Sequence, residues 1–268
     1  MKTTGIIDVH THQPLGGQLT ASQSAAFLLQ EMDRHGVAIS GILGQVRFGQ
    51  SEEEMKESIA FTHDVAQQAA TRLFGMVYLN PAMPPALLRE LLDRYLSTPY
   101  FRGIKLELDL NCRDRRLDLL MEKSIEYDVP VLHHTWYLNP WDMDEAAVKS
   151  QSHRSESHDV ADLARRFPEA RIIMAHLEGS GIRGILDVAK FPNVWIDTSG
   201  SQPFTGTLEF AVETIGSRRI LFGSDLMFRS LEGQLARIYG ANLAADDMEN
   251  ILHRNAREVF KIKGERLS

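Results

Sequence analysis

Cysteine is nearly absent. Cys112 is the only one in 268 residues, so no intrachain disulfide can form and a reducing compartment is expected. Long apolar runs are missing too. No stretch reaches the roughly 20 apolar residues that a membrane-spanning helix needs. The chain enters a strand-like run at Gly5, so no signal peptide is expected. There is no block of lysine and arginine either. The 29 basic side chains are outweighed by 36 acidic ones, giving a net charge of −7 that argues against nucleic acid as a partner. No Gly/Ser-rich linker, low-complexity tract or short internal repeat divides the chain. These absences leave a cytoplasmic protein of one domain spanning residues 1–268. Its expected partner is a small-molecule substrate, and neither nucleic acid nor a membrane; a homo-oligomer stays open.

What is present is a rhythm. Apolar runs rich in Val, Ile and Leu recur at Gly5–His10, Val37–Leu43, Leu73–Leu79, Gly103–Leu108, Val129–His133, Arg171–Ala175, Val194–Asp197 and Ile220–Gly223. Several are continuous, as strands covered on both faces should be. Helical patterns lie between them. Thr20 to Gln23 and Ser51 to Glu54 read as capping boxes that open helices. Arg115–Tyr127 and Asp159–Phe167 keep a helical period, and Met248, Ile251, Leu252, Ala256, Val259 and Phe260 form a closing amphipathic stripe. Eight strands alternating with helices predict an α/β fold, a single-domain (β/α)8 TIM barrel, whose usual size is about 250 residues. A doubly wound open sheet is the competitor.

Active groups in such a barrel sit at the C-terminal ends of strands. The first run, "IIDVHTH", carries Asp8, His10 and His12, which strict alternation places on one face. The fourth carries Lys105 and Glu107, the fifth ends in His133 and His134, the sixth in His176 and the eighth in Asp225. The seventh offers Asp197, Ser199 and Ser201 more weakly. Five of the ten histidines fall at these ends, where chance would scatter most onto helices and loops. Neutral imidazole and carboxylate are the ligands of a zinc-like divalent ion, which can lower the pKa of a bound water toward 7.

The segments "DVHTH", "GIKL", "PVLHHT", "IIMAHLEG" and "ILFGSD" occur in an order that resembles the metal-dependent amidohydrolase superfamily. "DVADLARRFPEARIIMAHLEG", "NVWIDTSG" and "ILHRNAREVF" are similar to the branch that includes aminocarboxymuconate-semialdehyde decarboxylase. The resemblance implies metal ligation by His10, His12, His134 and Asp225, with Asp225 also accepting a proton. His176 would hold a second metal or act on the substrate. Lys105 falls where some relatives, such as phosphotriesterase, carry a carboxylated lysine bridging two metals, and Glu107 where some branches use a glutamate ligand. One or two ions, zinc first, are therefore expected.

Plainer readings accompany these. His133 can pack behind the strand, Lys105 can be a structural ion pair with Glu107 or Asp8, and Cys112 is read as inert. Glu52 to Glu54 are read as charges at a helix N-terminus. Trp136, Tyr137 and Trp141 are candidate pocket walls, and Arg47, Arg154 and Arg229 candidate anion binders. The expected activity is metal-dependent hydrolysis of a small ester, lactone or amide, with Asp225 and His176 as the catalytic pair. The alternatives are metal-dependent non-oxidative decarboxylation of an unsaturated or aromatic acid, and a non-catalytic barrel that binds a metal or ligand.

Overall fold

Each apolar run becomes a parallel strand: β1 Ile6–His12, β2 Val37–Leu43, β3 Leu73–Tyr78, β4 Phe101–Leu106, β5 Val131–His133, β6 Ile172–Met174, β7 Val194–Asp197 and β8 Ile220–Leu221. The computed structural model describes residues 5–14, 19–44, 50–137, 153–200 and 204–263. The strands pair in chain order from β1 to β8. Backbone bonds then close the ring. Val9 N–H donates to Phe222 O at 3.0 Å, Asp225 N–H to His10 O at 2.8 Å and His12 N–H to Leu226 O at 3.1 Å. Helices alternate with the strands, so the chain is a single-domain (β/α)8 barrel, as the periodicity predicts.

The helix starts follow from their caps. Helix α1 (Ala21–His35) opens on the Thr20–Gln23 capping box and stops at Gly36, whose φ of 72° few other residues adopt. Helix α2 (Glu52–Gln68) opens on the Ser51–Glu54 box, with Glu52, Glu53 and Glu54 in its first turn. Two apolar zones result. One lies between strands and helices. The other fills the barrel interior with Ile7, Val9, Phe74, Met76, Leu132, Ile173 and Leu221, and Phe260 packs against Phe74 at 5.1 Å between ring centroids.

Three departures from expectation have physical reasons. The Arg115–Tyr127 pattern splits into a 3-10 turn, Arg115–Leu117, and a helix, Asp118–Glu126, because Asp114 caps the turn through Arg116 N–H. The closing stripe widens into a π-helical turn at Asn250–Arg254. That turn releases the Ile251 carbonyl to accept Phe222 N–H at 2.9 Å, while Asn255 Nδ2 bonds to Ile220 O at 2.7 Å.

The third departure is in β1. Its register against β2 slips between Asp8 and Thr11, a bulge that interrupts alternation. Asp8 and Thr11, three apart, are hydrogen-bonded through their side chains at 2.9 Å, and Thr11 Oγ1 lies 2.7 Å from Ser40 Oγ. Asp8 therefore joins Thr11, Ser40 and Ser224 instead of sharing the face of His10 and His12. Among the described residues no helix is long and apolar enough to cross a membrane.

Phe260 is 2% exposed. Phe260→Ala is expected to lower the unfolding free energy by about 3 kcal/mol in a denaturant titration. An unchanged midpoint would show that this ring does not seal the interior.

Candidate metal centre

The bulge in β1 and the turn after β8 bring three donors together. Donor atoms of His10, His12 and Asp225, all buried, lie within 4.8 Å of one another. His12 Nε2 is 3.2 Å and His10 Nε2 3.6 Å from Asp225 Oδ1. Asp225 takes a left-handed conformation, with φ 58°. This turn is uncommon outside glycine, asparagine and aspartate, and Asp225 N–H is held on His10 O. Gly223 is needed two residues earlier, since a Cβ there would sit 2.9 Å from His10 Cβ.

Charge balance explains how such a cluster stays buried. His10 Nδ1 lies 2.8 Å from Asp197 Oδ2, and neither side chain is exposed. An ionised carboxylate only accepts, so His10 donates Nδ1–H and its Nε2 lone pair faces Asp225. Burial alone would raise the Asp197 carboxyl, but His10, His176 and the bond from Ser199 bring it well below the usual carboxylate range. Burial would raise Asp225 as well; the bond from His12, the facing His10 ring and the Lys105 ammonium lower it. Burial pushes down the basicity of His12, of His134 (to about 4) and of His176, which keeps their rings neutral near pH 7.

The remaining predicted residues continue the cluster. Lys105 Nζ lies 2.9 Å from Glu107 Oε1, both buried. Glu107 Oε2 lies 3.2 Å from His134 Nδ1, and His134 Nδ1 lies 3.1 Å from His176 Nε2. Burial would raise Glu107, but Lys105, His134 and His12 hold it at about 2, against an ordinary 4.5. His176 has φ 68°, another left-handed residue at the cluster. A second close group is His10, His176 and Asp197; His134 belongs to neither. The donors fit a divalent cation on one further count: His10 Nε2, the atom that faces Asp225, is buried without a hydrogen-bond partner. Asp197 fits less well as a ligand, because both of its oxygens already accept.

His133 lies apart, donating Nδ1–H to His134 O at 2.7 Å. Asp8 accepts from Ser224 Oγ and from the backbone N–H groups of His10 and Ser224. Burial lifts its pKa to about 6 despite these bonds. Trp136 meets His176 edge-on at 5.5 Å, whereas Tyr137 is at the surface beside Arg183. Arg154 pairs with Glu156 at 3.2 Å, and Arg229 donates to Phe228 O. Cys112 is buried, which pushes its thiol up to about 12 and leaves it inert. Arg47, Trp141 and Ser201 lie outside the described residues, as does most of the stretch after β5.

Two residues carry more than the sequence suggests. Asp197 was readable from alternation in "WIDTSG", which puts Trp195, Asp197 and Ser199 on one face. Phe228, edge-on to His12 at 4.9 Å, had no signal, since loop aromatics follow no period.

A barrel with this donor cluster at its strand ends defines a class. The family model described as Amidohydrolase matches residues 7–262, and the chain belongs to that family. Among solved structures, the 5-carboxyvanillate decarboxylase of Sphingomonas paucimobilis is similar at a TM-score of 0.75 and 14% identity, covering 97% of this chain and 100% of that one. A dihydroxybenzoic acid decarboxylase from Polaromonas sp. JS666, solved with manganese and 2-nitroresorcinol, gives 0.74 and 18% identity over 98% and 99%. A candidate 2-pyrone-4,6-dicarboxylic acid hydrolase from Pseudomonas putida gives 0.64 and 17% over 98% and 99%. At these identities the likeness speaks for the fold alone.

Glu107→Gln leaves the Lys105 ammonium buried without its counter-charge. We expect about 3–5 kcal/mol less stability at pH 7. Because the folded pKa of Glu107 is depressed, its contribution is present above pH 4.5 and lost as pH falls toward 2. Urea unfolding of chelator-treated protein across that range checks this; equal acid sensitivity of variant and wild type would contradict it.

Proposed function

We propose that the protein is a metal-dependent decarboxylase of an unsaturated or aromatic acid. The observation that carries this reading is His176. It is a buried imidazole beside the His10–His12–Asp225 trio but outside it, and Trp136 lies edge-on to it. A decarboxylase needs such a group to hand a proton to carbon. Likeness over nearly the whole chain to two aromatic-acid decarboxylases supports the same choice.

His10, His12 and Asp225 would hold one divalent cation, with His134 next to them. Manganese has support from a structure of similar fold, and zinc from the donor types. The Lys105–Glu107 ion pair supports an unmodified ammonium at Lys105, and so a single ion instead of a carbamate-bridged pair. Glu107 is then a partner of Lys105 and His134. When bound, the cation supplies charge that draws electron density from a substrate oxygen.

The protein side chains do the rest. Trp136 and Phe228 flank the histidines and suit a flat substrate while excluding water. His176 rests neutral with its hydrogen on Nδ1, and a second proton taken from solvent at Nε2 is the one it carries to the substrate carbon. As the carbon–carboxylate bond breaks, its electron pair takes up that proton and carbon dioxide leaves. Burial makes protonated His176 a ready donor, and solvent protonates it again for the next turnover. Asp225 stays ionised beside His12 and His10.

Hydrolysis is the second reading, favoured by the likeness to the candidate pyrone dicarboxylate hydrolase. In that reaction Asp225 accepts the proton of water. One assay separates the two. Metal-loaded protein is given hydroxybenzoic acids and unsaturated lactone acids in deuterated water. The expected result is released carbon dioxide and one deuterium on the vacated carbon, with His176→Asn reducing kcat by about 10²-fold or more. Added water with the carboxylate retained would replace decarboxylation by hydrolysis.

A further inference from the structure

Asp197 and Ser199 lie on β7 or just beyond it and are wholly buried. Asp197 Oδ2 takes His10 Nδ1–H at 2.8 Å. Its Oδ1 takes backbone N–H from His176 and from Ser199, each at 3.0 Å, and lies 2.5 Å from Ser199 Oγ. Ser199 Oγ in turn lies 2.8 Å from His176 Nδ1. Serine has a single hydroxyl hydrogen. The Asp197 carboxylate can only accept, so that hydrogen goes to Asp197. The Ser199 oxygen must then accept from His176, which fixes the His176 hydrogen on Nδ1. His176 Nε2 is left as a lone pair 3.1 Å from His134 Nδ1, and that nitrogen donates. Glu107, also an acceptor, faces the same His134 nitrogen at 3.2 Å. One serine hydrogen thereby decides the tautomers of a chain of rings.

We propose that Asp197 and Ser199 are positioning residues that place the hydrogens of His10, His176 and His134 on Nδ1 together, so that Nε2 carries the lone pair in all three rings, at His10 facing Asp225 and at His176 taken up by the His134 Nδ1–H. The two residues have separable effects. Asp197 acts directly on His10 and on both backbone amides. Ser199 acts on His176 at 2.8 Å and reaches His134 only through it; it also lies 3.4 Å from His10 Nδ1, whose hydrogen goes to the nearer Asp197 oxygen at 2.8 Å. The cation side of the site thus depends on Asp197, and the proton-transfer side on Ser199. Both side chains are closed off from solvent. The second close group of donors, His10 with His176 and Asp197, is on this account a hydrogen-bond junction and not a second cation site.

The tautomer part stands on geometry alone; the kinetic part rests on the decarboxylase reading. The experiment uses full-length protein loaded with zinc, which is diamagnetic, and long-range 1H–15N spectra of the imidazoles. Wild type should show Nδ1–H tautomers at His10 and His176. Ser199→Ala should remove the fixed Nδ1–H signature at His176 and leave that of His10 and the zinc content unchanged. Its kcat should fall about 10–100-fold with KM unaltered, and Ser199→Thr should restore both signature and kcat. Asp197→Asn should also weaken zinc binding about 10–100-fold. An Nε2–H tautomer at His176 in the wild type would overturn the proposal, and that spectrum needs no variant to fold. So would a Ser199→Ala protein that keeps the His176 signature, or that loses zinc as Asp197→Asn does. Intact tautomers with no decarboxylation would instead count against the reaction and leave the positioning role in place.

Discussion

The interaction on which the site depends is the contact of Asp197 with His10, a carboxylate and an imidazole with no exposed surface between them. Charge taken into a dry barrel must be answered from inside it. Here the answer runs as a chain: Lys105 to Glu107, Glu107 to His134, His134 to His176, His176 to Ser199, Ser199 to Asp197, and Asp197 to His10. It passes through six strand ends if His10, His12 and Asp225 are taken as its close. A chain of this kind is strong only when complete, because a half-satisfied buried network costs more than an apolar core. That condition couples fold and chemistry. The groups that keep the site folded also aim lone pairs at the space between His10, His12 and Asp225.

The barrel seam is where this coupling becomes visible in the backbone. Between β8 and β1 the strands barely pair, and closure falls to a few bonds around Val9, His10, His12 and Asp225. The bulge in β1 turns Asp8 away and lets it tie the strand to Ser224. His176 and Asp225 both adopt left-handed turns. Such turns cost energy and persist where their surroundings dictate them. Here the surroundings are the hydrogen bonds that Asp197 makes to His176 N–H and that His10 O makes to Asp225 N–H.

Much of this was legible in the chain. Buried parallel strands must be apolar, so all eight were readable as Val, Ile and Leu runs, and Thr20 and Ser51 announce their helices through local capping chemistry. Polar residues that interrupt those runs stand out for the same reason, which is why His10, His12, Lys105, Glu107, His134, His176 and Asp225 could be named and do come together. What failed was whatever depends on partners remote in sequence. Alternation put Asp8 with His10, because the bulge arises from pairing with β2 and not from β1 itself. The π-helical turn near Ile251 serves the Phe222 amide, just past β8 and some thirty residues earlier. The weight of Asp197 comes from contacts with His10, 187 residues away, and no local pattern encodes that.

His10, His12 and Asp225 are proposed to hold one divalent cation. Crystals of the protein soaked in manganese chloride, with anomalous differences recorded, test it most directly. A single peak bounded by His10 Nε2, His12 and Asp225 is the predicted result. No peak there, or the main peak at Asp197 or Lys105, would rule out that centre.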